Sequence, residues 1–419
     1  MRTKTQVVGL VLILALVGSL TACAGSGSSP AGPGAGLSGS LPSRDTKAII
    51  NIWGYEALTM TPWIEDGEKA LKKQFPNVTI NYTYVPAPQL ISKLLGTAAA
   101  GGAPDGIINN PADSSALSQA GIIGDMSPMW AKFADASQFP ESVLWKSDNK
   151  LLSIQGYVNT TALFYNKDIL DAAGVEPPTT VAELGTALKA VKKAGYQGLA
   201  MCATATPESE FQIFPWLLGQ GENYGTFTQS KVQSVFSQFN DWISAGYIPR
   251  DVTGWAQSDA FTAFSGGKFA FTQNGNWQLG LASKLSFKWG VVPLPAGAAG
   301  SFSVGGGEGF SIGAKTKNAA LTFEFFKDAL LTKTSEIAIL KSQGSIPARE
   351  DAATDPAIAA NPALTVFSKV VKTMKSRPNS TNTSNNLVVM AKIWNAVTGG
   401  TTTPAAGAQQ VVSQLNKVN

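Results

Sequence analysis

Trp53-Gly54-Tyr55-Glu56 is the first of several short segments in which aromatic rings stand beside carboxylates or amides. Asn109-Asn110-Pro111-Ala112-Asp113 is the second. Tyr157 with Asn159, Phe214-Pro215-Trp216, Asn274-Gly275-Asn276-Trp277 and Gly305-Gly306-Gly307-Glu308-Gly309 follow. A sugar has apolar C–H faces and a rim of hydroxyls. Flat rings cover the faces, while Asp, Glu and Asn exchange hydrogen bonds with pairs of hydroxyls. Each segment also suits a plainer role. Trp53 and Trp216 serve equally as core anchors, Gly275 between two asparagines suits a turn, and the glycine run suits a hinge. Glu56, Asp113 and Glu308 are also the residue types of a carboxylate-based glycosidase, but the sequence gives no pair a defined spacing.

The rest of the composition narrows the chemistry. Histidine is absent, which removes Ser-His-Asp and Cys-His catalysis and imidazole metal sites. No catalytic residue, cofactor or metal is expected. Ten tryptophans contrast with few arginines: after Arg2 the chain has only Arg44, Arg250, Arg349 and Arg377. Arginine is the side chain suited to gripping carboxylate or phosphate with two parallel bonds, so a neutral polyol fits better than an anion. The longest basic runs are the pairs Lys72-Lys73 and Lys192-Lys193, not the clustered face of a nucleic-acid binder.

The elements that must position these residues form an α/β pattern. Ala48 to Trp53 reads as a buried strand. Thr61 then caps a helix with Pro62 at its first position, and Pro76 closes it. Val78, Ile80, Tyr82 and Tyr84 alternate as a strand, a helix runs through Leu90, Leu94 and Ala98, and a third strand covers 106–109. Further strands are expected at 162–165, 269–271 and 290–292. Helices are expected at 181–193, 229–245, 317–331, 333–342, 361–376, 385–397 and 404–417. The β-α-β-α-β order implies an open sheet with helices on both faces. Ligands bind beyond the carboxyl ends of such strands, where the aromatic–polar segments lie. About 400 residues suggest two domains.

The N-terminus carries its own signal. Arg2 and Lys4 precede an apolar run from Val7 to Val17, too short for an ordinary membrane-spanning helix of about 20 residues. Leu20-Thr21-Ala22-Cys23 resembles a bacterial lipobox, which implies a signal peptide over 1–22 and a lipid anchor on Cys23. Losing Arg2 and Lys4 lowers the formal charge from +4 to +2. Residues 23–44, almost wholly Ala, Gly, Ser and Pro from 24 to 43, read as a flexible tether. The expected location is extracytoplasmic, on the bacterial cell membrane. Cys202 then has no intrachain partner and is expected to be a small buried hydrophobe.

Phe75-Pro76-Asn77-Val78-Thr79, Ala103-Pro104-Asp105, Leu163-Phe164-Tyr165-Asn166-Lys167-Asp168, Pro178-Thr179-Thr180, Asn274-Gly275-Asn276-Trp277 and Gly344-Ser345-Ile346-Pro347-Ala348-Arg349 resemble segments of a known family. It is the extracellular solute-binding proteins of ABC importers, in the carbohydrate-binding group that includes maltose-binding protein. The resemblance runs from about 47 to 415. It implies a two-lobe periplasmic-binding-protein-like fold of type II, with a hinge made by chain crossings. One lobe would be 45–158 plus 310–345 and the other 159–309 plus 346–419, placing Tyr157, Asn159 and Glu308 at the cleft. Asp113 falls where the family often uses an acidic group, and Trp277 where it commonly stacks an aromatic. Asn159 replaces an acidic residue, Asn110 an aromatic one, and Asn385 and Asn386 lie near another aromatic position, which suggests a different and smaller sugar. Tyr55, Glu56, Trp216, Trp255, Asn276, Gly307 and Arg349 complete the candidate ligand set. The implied partners are a sugar or oligosaccharide and a membrane permease, with the protein a monomer. The alternatives are a secreted glycosidase and a binding protein for another solute, such as a polyamine, peptide or phosphodiester.

Overall fold

The structure, a computed structural model, describes residues 36–37, 39–56, 62–99, 102–377, 380 and 382–417. The signal peptide, Cys23 and most of the tether lie outside the described residues.

In chain order the strands are β1 (Ala48–Gly54), β2 (Val78–Tyr84), β3 (Gly106–Asn109), β4 (Leu144–Ser147), β5 (Lys150–Gln155), β6 (Tyr157–Val158), β7 (Thr161–Asn166), β8 (Gln197–Ala200), β9 (Phe269–Gly275), β10 (Trp289–Val292), β11 (Gly309–Ile312) and β12 (Ile346–Pro347). Six of them form one sheet in the order β2-β1-β3-β11-β5-β4, four form a second in the order β10-β7-β9-β8, and β6 pairs with β12. Each main sheet has its own core. Ile50, Ile52, Phe310, Phe325 and Phe326 pack on the first sheet. Leu163, Phe214, Trp216, Phe236, Phe239 and Trp394 pack on the second. The architecture is mixed α/β, as the pattern implies.

Local signals account for the elements that matter most. The helix Val181–Lys193 is opened by a reciprocal capping box between Thr180 and Glu183 and carries Lys192 and Lys193 in its last turn, where cations suit the helix dipole. The expected third strand, β3, is buried along its whole length. β1 runs parallel to β2 and β3, so the carboxyl ends of β1 and β3 lie on one edge. β11 then inserts antiparallel between β3 and β5, with Gly309 opposite both Asn109 and Gln155. That register brings Glu308 to the same edge.

Three expectations change. Phe214, Pro215 and Trp216 belong to the buried helix Pro207–Gly219 rather than a loop. Asn274 and Gly275 end β9 and pair with Ala162 and Thr161 instead of forming a turn. The tether is not wholly free. Leu37 is buried, its N–H donates to the Asp125 carbonyl at 2.8 Å, and its side chain fills a notch that a Cβ on Gly124 would close. Cys202 is buried as expected, and burial pushes its thiol up to about 12.

Candidate functional site

Each strand ending on the common edge of the first sheet contributes one piece of a polar cluster. Tyr55 and Glu56 follow β1, Asn110 to Asp113 follow β3, Tyr157 follows β5, and Glu308 precedes β11. Tyr157 is the centre. Its hydroxyl donates to Glu308 Oε2 at 2.7 Å and reaches both Glu56 oxygens at 3.3 and 3.4 Å. Tyr55 donates to Glu308 Oε1 at 3.4 Å, and Tyr82 holds the Glu56 backbone carbonyl at 2.7 Å.

Electrostatics follow from that crowding. Burial, then repulsion by Glu308, raises the Glu56 carboxyl well above its ordinary range. Burial raises Glu308 too, opposed by hydrogen bonds from Tyr157, its own backbone, Tyr55 and Glu56. The two carboxyls face each other across the Tyr157 hydroxyl, and like charges this close disfavour ionising both. Burial lifts Asp113 to about 6, opposed by a hydrogen bond from Ser384. Among the described residues no lysine or arginine lies within 4.0 Å of Glu56, Asp113 or Glu308.

The Asp113–Ser384 contact joins the two cores. Pro111–Asp113 is a short 3-10 turn capped by the Asn110 side chain, which accepts from the Ala112 N–H at 3.1 Å. Ser384 lies in the first turn of Thr383–Gly399, a helix packed on the second core. Asn386, one of the expected ligand residues, is buried two residues further along it. Trp277 is half-buried just after β9, its ring folded over Gly275, where any Cβ would strike it. Trp255 is half-buried and stands edge-on to Phe269, with ring centroids 6.0 Å apart.

Other expected ligand residues have different work. Trp216 is buried, donates its indole N–H to Gln273 Oε1 at 2.8 Å and packs edge-on against Phe239. It is a core anchor, because its one polar atom is already engaged. Arg349 is buried with its guanidinium on both Asp351 oxygens (2.9 and 3.0 Å), Asp135 at 2.9 Å and the Leu331 carbonyl at 2.9 Å. Those partners take four of its five N–H groups, so its role here is structural. Asn276 is 0 % exposed and ties its own segment to two others. Its Oδ1 accepts from the Thr160 N–H at 2.8 Å, while its Nδ2 donates to Asn159 Oδ1 at 2.8 Å and to the Gly344 carbonyl at 3.0 Å. Asn159 is thereby engaged as well, and its backbone pairs with Gly306. Gly307 has φ of 102° and sits so close that a Cβ would lie 2.9 Å from the Tyr157 carbonyl oxygen. Only glycine suits that position.

Sequence reasoning missed Ser384 and Gln155. Ser384 adjoins the asparagines picked out at 385 and 386, and its place in a helix first turn was the available signal. Gln155 ends a strand that the sequence did not reveal. A groove of about 590 Å³ lined by Met129, Phe133 and Phe323 opens elsewhere on the molecule and shares no residue with this cluster.

Residues 69–366 match the family described as bacterial extracellular solute-binding protein. A binding protein of Brucella abortus is 24% identical over 276 residues, which cover 60% of this chain and 64% of that relative. The chain thus spans under two thirds of the length of the curated relatives it matches. Among solved structures, the GacH receptor of Streptomyces glaucescens, determined unliganded and with acarbose, has a TM-score of 0.79 at 22% identity, covering 90% of this chain and 100% of that one. Maltose-bound MalE3 of T. maritima has a TM-score of 0.78 at 18% identity, covering 88% and 98%. A solute-binding protein of Thermotoga lettingae bound with α-D-tagatose has 0.77 at 16%, covering 89% and 99%. The fold is therefore the two-domain one of the sugar-binding proteins of ABC importers, as the motifs implied.

Proposed function

This chain belongs to the bacterial extracellular solute-binding protein family, and we propose that it captures a neutral sugar or oligosaccharide between two lobes and delivers it to a membrane permease. In this reading the lobes are 45–158 plus 310–345 and 159–309 plus 346–419. The protein is a monomer held at the cell membrane by lipid on Cys23. The observation that carries the reading is the Glu56–Tyr157–Glu308 cluster at the strand ends. A buried carboxyl pair with raised proton affinity offers a donor when one member is protonated and acceptors beside it, and sugar hydroxyls need both. Tyr55 and Asp113 extend this polar rim, and the half-buried ring of Trp277 is the candidate platform for a C–H face.

Closure supplies the mechanism. A ligand touching both lobes favours the state in which they meet, and the Asp113–Ser384 hydrogen bond is one contact between the two cores beside the site. The family and the neighbouring structures are binding proteins rather than enzymes. Geometry supports binding without turnover in this chain too. Carboxylates that cleave a glycoside flank the scissile bond, whereas Glu56 and Glu308 both turn toward one tyrosine hydroxyl.

A second reading is a cationic solute such as a polyamine, favoured by three carboxylates with no basic partner nearby. One thermal-shift screen addresses both readings, because ligand that binds only the folded state raises the midpoint. The panel holds maltose, acarbose, α-D-tagatose, other mono- and oligosaccharides, putrescine and spermidine. A saccharide shift that disappears in Glu308→Ala supports sugar capture. A shift with amines alone replaces it with the second reading.

A further inference from the structure

Glu308 reaches its partners because the three residues before it are gripped from two directions. From the first core comes Gln155, buried at the end of β5. Its Nε2 donates to the carbonyls of Gly306 at 2.9 Å and Gly307 at 3.3 Å, and its Oε1 accepts from the Trp145 indole at 2.8 Å. From the second core comes Arg377. Its Nη1 donates to the Gly305 carbonyl at 3.2 Å, while its Nε and Nη2 hold the fully buried Glu210 at 2.9 and 2.5 Å. The guanidinium lies over the Phe211 ring, 4.2 Å from its centroid, and Tyr224 fixes Glu210 at 2.8 Å. Phe211 also closes the space above Gly306, where a Cβ would meet it at 3.2 Å.

We propose that Gln155 and Arg377 are positioning residues that grip the consecutive carbonyls of Gly305, Gly306 and Gly307 from opposite cores, so that Glu308 is delivered to Tyr157 and Glu56. This rests on the proposed function only in treating Glu308 as a ligand group. Neither residue is bonded to Glu56, Tyr157 or Glu308 themselves; each acts on the backbone that leads to Glu308. A fully satisfied glutamine at the end of a buried strand has no packing reason to choose an amide over an aliphatic chain. Here the amide has a defined task, because both of its ends are used and both act on the approach to Glu308. The titratable groups facing the pair are Tyr55, Tyr157, Tyr82 and Asp113, and none belongs to either grip.

The test is a ¹³C NMR titration of glutamate carboxyls in the free full chain, with Glu56→Gln and Glu308→Gln used to assign the two signals. In the wild type Glu56 and Glu308 are expected to titrate together, above the ordinary glutamate range. In Gln155→Leu the pair is expected to separate, with Glu56 losing about tenfold in proton affinity, which is one pH unit of midpoint. A Gln155→Leu protein that folds and keeps the coupled titration unchanged overturns the proposal. Should that variant not fold, Trp145→Phe keeps an aromatic side chain and removes the indole N–H that orients Gln155. It is expected to shift the pair in the same direction, and an unchanged titration there overturns the proposal equally. Arg377→Lys, which loses the fork on Glu210 and the bond to Gly305, is expected to act likewise. The readout needs no saccharide. Failure of every sugar to bind would refute the function and leave this inference standing, whereas an unaltered titration would do the reverse.

Discussion

Replacing Tyr157 by phenylalanine isolates the hydroxyl at the centre of the site while keeping the buried ring. The hydroxyl donates its one proton to Glu308 at 2.7 Å and lies 3.3 Å from the nearer Glu56 oxygen. A hydrogen bond to a charged group is worth about 1.5–3 kcal/mol, and one between neutral groups about 0.5–1.5 kcal/mol. The size of the loss therefore depends on whether the pair is charged. Burial raises both carboxyls, so the folded protein keeps a proton after the unfolded chain has released it. A raised carboxyl favours the fold at low pH, and that stability declines as pH climbs through the folded value. Tyr157 opposes this rise by donating to the charged form, so Tyr157→Phe raises the pair further. The deficit against wild type is then expected to grow with pH. Urea unfolding should give about 1 kcal/mol near pH 5 and about 2–3 kcal/mol near pH 8. A deficit that is flat across this range, or larger at the acidic end, would refute the reasoning that the hydroxyl serves a shared, partly ionised pair.

Other perturbations have equally definite outcomes. Gly307→Ala places a methyl at positive φ against the Tyr157 carbonyl oxygen and the Asn159 nitrogen. The cost is about 2–4 kcal/mol from backbone strain and crowding, read from the urea midpoint, and a loss below 1 kcal/mol would contradict it. Asn276→Ala orphans the Thr160 N–H and the Gly344 carbonyl, and calorimetry should show about 2–5 kcal/mol lost. Trp277→Ala should leave the unfolding midpoint nearly unchanged but weaken saccharide binding by about 1–3 kcal/mol, an effect visible by calorimetric titration. Leu37→Ala removes a buried side chain and should cost about 2–4 kcal/mol. Limited proteolysis should then cut residues 39–44 faster than in the wild type.

Much of this was legible from sequence where local physics decides. The alternation of Val78, Ile80, Tyr82 and Tyr84 fixes its strand without tertiary help. The placement of Tyr55, Glu56, Asp113 and Glu308 follows from the rule that loops at strand ends carry function. What was not legible depended on distant partners. Arg349 looks like a ligand residue until Asp135, 214 positions away in the chain, is seen to hold it. Asn276 looks like a sugar contact until Asn159 and Gly344 converge on it. Trp216 follows a proline that the helix Pro207–Gly219 simply absorbs, against the usual reading of proline as a helix breaker. Leu37 lies in a tract whose composition argues for disorder, and one apolar side chain meeting a glycine notch is enough to dock it.

Calorimetric titration of the purified chain with each saccharide that raises its melting point, followed by chromatography of the contents, tests the central claim most directly. The expected result is saturable binding of one saccharide per chain, recovered unaltered, and weakened at least tenfold in Glu308→Ala. Recovery of cleaved sugar, or binding that ignores the loss of Glu308, would contradict it.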